Sequence, residues 1–104
     1  MRDTAPVTSS PVWCWLNGTI APAATTSISV TDHGLTVGDG VFETMKVVDG
    51  EPFAVTRHLR RLHRSAAGLD LDLDGCATDE RISDGCRALI AAARARERAT
   101  TFSA

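Results

Sequence analysis

Two stretches of this chain hold side chains whose types and spacing could do chemistry. The first runs from Thr31 to Met45 and sets Asp32, His33, Asp39 and Glu43 among Gly34, Gly38 and Gly40. The second runs from Arg57 to Arg64 and holds His58, His63 and four arginines. Glycines at that density bend the backbone sharply or let a ligand come close to it. Acid, imidazole and hydroxyl groups stand between them. Spacing alone favours a plainer reading, a structural turn between two strands.

Each candidate can be weighed by its chemistry. Asp32, His33 and Asp39 are metal-ligating types, but nothing in the sequence supplies the outer partners that orient such ligands. Cys76, Cys86 and a histidine match no zinc spacing. No metal site is expected. A Ser-His-Asp arrangement has no Gly-x-Ser-x-Gly turn to hold its nucleophile. The Gly38-Asp39-Gly40 loop fits neither a phosphate-cradling Walker loop nor a dinucleotide fingerprint. Lys46 is the only lysine. Its amine has the chemistry of a Schiff-base former, yet a strand lysine reaching solvent is the simpler expectation. Arg61 stands between Leu59 and Leu62 on a helical pattern, partly turned toward the seam with a sheet. A guanidinium there suits a planar fork on phosphate. Spacing alone still favours a solvated arginine.

The elements that must position these groups are legible in outline. Residues 12–16 are apolar strand formers, and Asn17-Gly18 is a two-residue hairpin turn. Thr19 and Ile20 begin the return, which Pro22 limits. Ser27 to Val30 alternates polar and apolar like a half-buried strand. Val41 to Val48 reads as a strand, Asp49-Gly50 as a second hairpin turn, and Glu51 to Val55 as its return. Five short strands, mainly antiparallel, are expected. The period then changes. Thr56 is a good cap for a helix with Leu59, Leu62, Ala66 and Leu69 on one face, ended or frayed by Gly68. Residues 70–75 read as an acidic loop. Thr78 caps a second helix with a buried stripe of Ile82, Cys86, Leu89, Ile90 and Ala93, and Asp79 and Glu80 suit its N-terminal dipole. The fold class expected is α+β: a small, mainly antiparallel sheet with two helices.

Composition bounds the rest. The chain has 104 residues, 43% hydrophobic and 23% charged, with a formal net charge of -2. That is one small domain of ordinary balance. No basic excess exists to follow a nucleic-acid backbone. No apolar run approaches the roughly 20 residues a membrane helix needs. Residues 1–11 read as a disordered leader without the hydrophobic core of a signal peptide, so a cytoplasmic location is expected. Cys14, Cys76 and Cys86 form no paired framework and are expected reduced.

Several of these pieces occur in an order that resembles a known family. They are Trp15-Leu16-Asn17-Gly18, then Ile28 through Thr44 with Asp32-His33-Gly34-Leu35-Thr36-Val37-Gly38-Asp39-Gly40-Val41-Phe42-Glu43-Thr44, then Asp49-Gly50, then His58-Leu59-x-Arg61-Leu62 and Ser65-Ala66. Over roughly residues 12 to 73 they look like the N-terminal part of the class IV aminotransferases, the fold-type IV pyridoxal-phosphate enzymes. The resemblance implies a small N-terminal α+β domain over 12–98, a larger C-terminal domain, and pyridoxal 5'-phosphate between them. It implies a homodimer and a small-molecule amino substrate. Arg61 matches the arginine that meets the cofactor phosphate. Phe42 and Thr44 match positions on the substrate side. Glu43 belongs to the same motif and receives no role.

Within the family, the wording from Asp32 to Thr44 is closest to 4-amino-4-deoxychorismate lyases, which form p-aminobenzoate and pyruvate in folate biosynthesis. Branched-chain aminotransferases more often carry an aromatic residue at Val37 and glycine at Thr44. A D-amino-acid or branched-chain aminotransferase is the alternative reading, and a non-catalytic dimerisation fragment is a third. The family's Schiff-base lysine is expected in the C-terminal domain, and Lys46 does not match its position. Residues 99–104 form an atypical tail, and the sequence reads as a truncated or frameshifted product or a fragment. No catalytic residue is therefore expected within it, and weak cofactor binding or none.

Overall fold

The computed structural model describes residues 12–75 and 77–102, with side chains described as far as residue 97. The leader expected over 1–11, the thiol of Cys76 and the last two residues lie outside the described residues.

The fold is α+β, with two separate antiparallel hairpins and two main helices. In the first hairpin, β1 (Trp13–Leu16) pairs with β2 (Thr19–Pro22), Trp15 lying opposite Ile20. Asn17 and Gly18 both take positive φ, 51° and 92°. That is the turn the Asn-Gly pair favours, because its twist matches the strands it joins. β2 stops at Pro22, and a 3-10 turn, Ala23–Thr25, carries the chain away. The hydroxyls of Thr25 and Thr26 donate back to the Pro22 carbonyl. The second hairpin is shorter. β3 (Val47–Val48) pairs with β4 (Glu51–Pro52) around Asp49 and Gly50, at φ 52° and 79°.

Two expected strands differ. Residues 27–30 form no strand, and neither do residues 41–46. An alternating pattern specifies a face; a strand also needs a neighbour to pair with. Ser29 turns its hydrogen bonds inward instead. Its hydroxyl accepts from the Thr31 amide and its carbonyl accepts from the Asp32 amide. Such local side-chain bonding competes with sheet ladders. A short helix, α1 (His33–Thr36), follows, with Asp32 as its cap: Asp32 Oδ2 accepts from the Gly34 amide at 3.0 Å.

Helix α2 (Val55–Gly68) starts one residue before the expected cap. Ala54 holds the cap position in the left-handed region, φ 58° and ψ 43°, with no side-chain cap. Thr56 lies inside the first turn. At the other end, Gly68 is the last helical residue, and the reversing residue is Asp70 at φ 56°. The Asp70 and Leu71 amides donate to the Ala67 and Ala66 carbonyls. This is the Schellman closure, with aspartate where glycine commonly stands. It leaves Leu69 beyond the helix and exposed, not on the buried stripe. Leu59 and Ala66, one face of α2, are the buried hydrophobic residues among those described.

Helix α3 (Asp79–Phe102) begins as expected, with the Thr78 hydroxyl accepting from the Arg81 amide at 3.1 Å. It continues past Arg98, the end expected for the domain. It lies across β1 and β4 and so ties the two hairpins together. Gly85 makes that approach close: a Cβ there would stand 3.0 Å from Trp15 Cε2. Arg81 lies over the Trp15 ring and Arg96 over the Trp13 ring, with guanidinium carbons 5.4 and 5.1 Å from the centroids. Such cation–π contacts hold an aromatic hairpin against a basic helix. Arg87 Nε donates to Glu51 Oε2 at 3.2 Å on the other hairpin. The stripe from Ile82 to Ala93 faces inward but is half-buried throughout.

Candidate cofactor-facing site

The segment after the glycines approaches α2 without becoming a strand. Its burial alternates: Val41, Glu43 and Met45 are half-buried, while Phe42 and Thr44 are exposed. Glu43 is the group turned toward the helix, and its side chain keeps only 14% of its surface. Its two oxygens take different partners. Glu43 Oε1 stands 2.7 Å from His58 Nδ1, and Glu43 Oε2 stands 3.7 Å from Arg61 Nε. An ionised carboxylate only accepts, so the imidazole proton sits on Nδ1 and is donated to Glu43. His58 and Arg61 are three apart on α2 and share a face, which lets one carboxylate serve both.

Arg61 is placed differently from its partner. Its side chain keeps 57% of its surface, and it is the Nε edge that faces Glu43. A guanidinium that meets a carboxylate through Nε leaves its outer nitrogens for another anion. Phe42, at 84% exposure, and Thr44 lie on the open side of the neighbouring segment. The structure thus brings Glu43, His58 and Arg61 together. It sets Phe42 and Thr44 beside them in sequence but on the opposite pattern of burial.

The other candidates are occupied elsewhere. Asp32 caps α1, and His33 Nδ1 lies 3.4 Å from Asp39 Oδ2, both well exposed. No cluster of three or more metal-ligating side chains is present among the described residues. Lys46 extends its ammonium over the Phe53 ring, 5.4 Å from the centroid. His63 bridges the helices by bonding Asp79 in the first turn of α3. That bond raises the His63 pKa above the ordinary 6.5; desolvation opposes it, and the charges of Asp79 and Asp74 add to it. The same pair lines a groove of about 540 Å³ between α2 and α3, with Arg60, Ser83 and Arg87.

The sequence left Glu43 without a role and did not connect His58 with Arg61. The signal was available. A histidine and an arginine three apart on one helix face, in a chain with one acid on a neighbouring extended run, form a cationic pair that calls for a carboxylate.

Pyridoxal phosphate needs an anchor for its phosphate and an amine for its aldehyde. Arg61 suits the first requirement, being exposed and having its Nε turned toward Glu43. Lys46, engaged by Phe53 on the second hairpin, gives no sign of the second. When bound, the cofactor supplies an electron sink for bonds at an amino acid's α-carbon.

Comparison with known proteins bears on the family. Residues 40–102 match the family described as amino-transferase class IV. A protein of Methanocaldococcus jannaschii named "Putative branched-chain-amino-acid aminotransferase" is 42% identical over 59 residues, 57% of this chain and 20% of the relative. The "D-alanine aminotransferase" of Staphylococcus aureus strain N315 is 38% identical over 60 residues, 58% of this chain and 21% of the relative. That of Staphylococcus haemolyticus is 36% identical over 76 residues, 73% of this chain and 26% of the relative. The chain spans about a fifth to a quarter of the length of these relatives. No solved structure matches it. With more than half of its residues inside that match, the chain belongs to the class IV aminotransferase family.

Proposed function

We propose that this chain forms one wall of a pyridoxal-phosphate site in a transaminase of small amino acids, with D-alanine-type substrates preferred. The observation that carries the reading is Arg61, more than half exposed, with its Nε 3.7 Å from Glu43 Oε2. Arg61 anchors the cofactor phosphate, and Phe42 and Thr44 meet the substrate. The amine that holds the cofactor comes from outside these 104 residues. The working assembly is a homodimer of the longer protein. The names of the relatives favour transamination over the lyase reaction. Val37 and Thr44 weigh against a branched-chain substrate. The wording of residues 32–44 keeps aminodeoxychorismate cleavage as the second reading.

A chimera tests the choice. Residues 12–73 replace the matching segment of the Staphylococcus haemolyticus enzyme. The expected result is retained amino transfer from D-alanine to a 2-oxo acid, lost in Arg61→Ala. Release of pyruvate from aminodeoxychorismate without amino transfer would overturn the main reading in favour of the second.

A further inference from the structure

The structure assigns Glu43 as a positioning residue: its carboxylate, steadied by His58, sets the direction in which Arg61 presents its guanidinium. This rests on the reading of Arg61 as a phosphate anchor. Three observations carry it. Glu43 is the most enclosed member of the cluster, with 14% of its side-chain surface open against 57% for Arg61. Its two oxygens are divided, Oε1 to His58 and Oε2 to Arg61, so neither partner displaces the other. His58 is itself enclosed, at 17%, and its 2.7 Å bond to Glu43 fixes the carboxylate plane. A long, exposed arginine otherwise samples many rotamers, and ordering it on binding costs affinity. A carboxylate facing Nε removes part of that cost beforehand and leaves the outer nitrogens to the ligand. Glu43 touches neither cofactor nor substrate in this role. It acts through Arg61 alone.

The geometry also explains why a glutamate stands among exposed neighbours. Phe42 and Thr44 face outward on either side of it. Alternation on one extended run therefore gives two functions at adjacent positions: the odd residue braces α2, and the even residues face the open side.

The test separates positioning from phosphate binding. In the 104-residue chain, nitrogen-15 NMR follows the Arg61 Nε–H resonance and the His58 ring nitrogens without any ligand. The expected result is a protected Nε–H signal that disappears in Glu43→Gln, with His58 losing its Nδ1–H preference. His58→Gln, which leaves Glu43 charged, broadens the Arg61 signal without abolishing it and serves if Glu43→Gln fails to fold. An Arg61 Nε–H signal unchanged in both variants overturns the assignment. Titration with inorganic phosphate and with pyridoxal 5'-phosphate, against pyridoxal as control, then reads the consequence. Glu43→Gln weakens both phosphates about threefold, the scale of a partly exposed ion pair, and leaves pyridoxal unaffected. Arg61→Ala removes the preference for the phosphate forms. If Arg61→Ala leaves that preference intact while Glu43→Gln still frees the Nε–H, the phosphate reading fails and the positioning stands.

Discussion

Ala54 carries the backbone cost of starting α2. A residue with a Cβ in the left-handed region costs about 1–2 kcal/mol, and Ala54 sits there at φ 58° without a capping side chain. Glycine removes that strain and is tolerated at a helix cap. Ala54→Gly is expected to stabilise the chain by about 1 kcal/mol, the strain relieved less the added chain entropy. Chemical denaturation would read this as a higher midpoint at unchanged slope. Ala54→Val, which adds a β-branch to the same conformation, should lower it. Lys46 gives a second expectation at this scale. With its ammonium over Phe53, it forms no lasting bond with added pyridoxal phosphate. Borohydride reduction followed by peptide mass analysis should find no cofactor on Lys46, and a stoichiometric adduct there would refute the reading. The two turns could be read from sequence because Asn-Gly and Asp-Gly specify their own φ. The cap at Ala54 could not, since alanine has no preference for that conformation and only the hairpin before it imposes one.

At the scale of elements, the join between α2 and α3 depends on pH. His63 on α2 bonds Asp79 on α3, and Asp74 in the loop adds to the field. Arg60 and Arg87 line the same groove and oppose that charge. The folded-state pKa of His63 is raised above the ordinary 6.5. The folded state therefore holds this proton more tightly than the unfolded chain. Its contribution is fully present below pH 6.5 and is lost as pH rises through the raised folded value. Stability should fall over that window, and His63→Gln should flatten the dependence. Asp79→Asn should also flatten it, while lowering stability wherever the carboxylate is ionised, because the first turn of α3 loses a favourable charge. A wild-type profile identical to that of His63→Gln across the window would remove the pair from the account. Sequence placed both helices and the Thr78 cap, since periodicity and capping are local. It did not place the pair, because residues sixteen apart meet only through the loop geometry that Asp70 sets. The strands expected over 27–30 and 41–46 fail for the related reason that a strand is defined by its neighbour. The site divides the same way. Resemblance pointed to Arg61, Phe42 and Thr44, whereas Glu43 and His58 gain their roles only from tertiary proximity.

The whole molecule is held by the contact of α3 with two hairpins, and the segment between those hairpins contributes little enclosed surface. Among the described residues, Leu59 and Ala66 are the buried hydrophobics. Ile28, Val30, Leu35, Val37 and Phe42, all in that segment, are more than half exposed. An apolar side chain left in water forgoes roughly 1.5–3 kcal/mol of burial, and a contiguous exposed group marks a surface that binds something apolar. The chain alone should therefore bind a hydrophobic dye and melt over a broad range. Substituting the exposed groups separates this from simple unfolding. Val30→Thr with Phe42→Ser should lower dye fluorescence while moving stability by no more than about 0.5 kcal/mol, since neither side chain supports the core. Gly85→Val should act in the opposite sense. It forces a branched side chain into the Trp15 ring, lifts β1 from α3, and raises dye binding as stability falls. Tryptophan emission would report the displaced ring directly. A sharply melting chain that binds no dye, in wild type and Gly85→Val alike, would mean that the segment from Ile28 to Phe42 is covered in solution by its own chain.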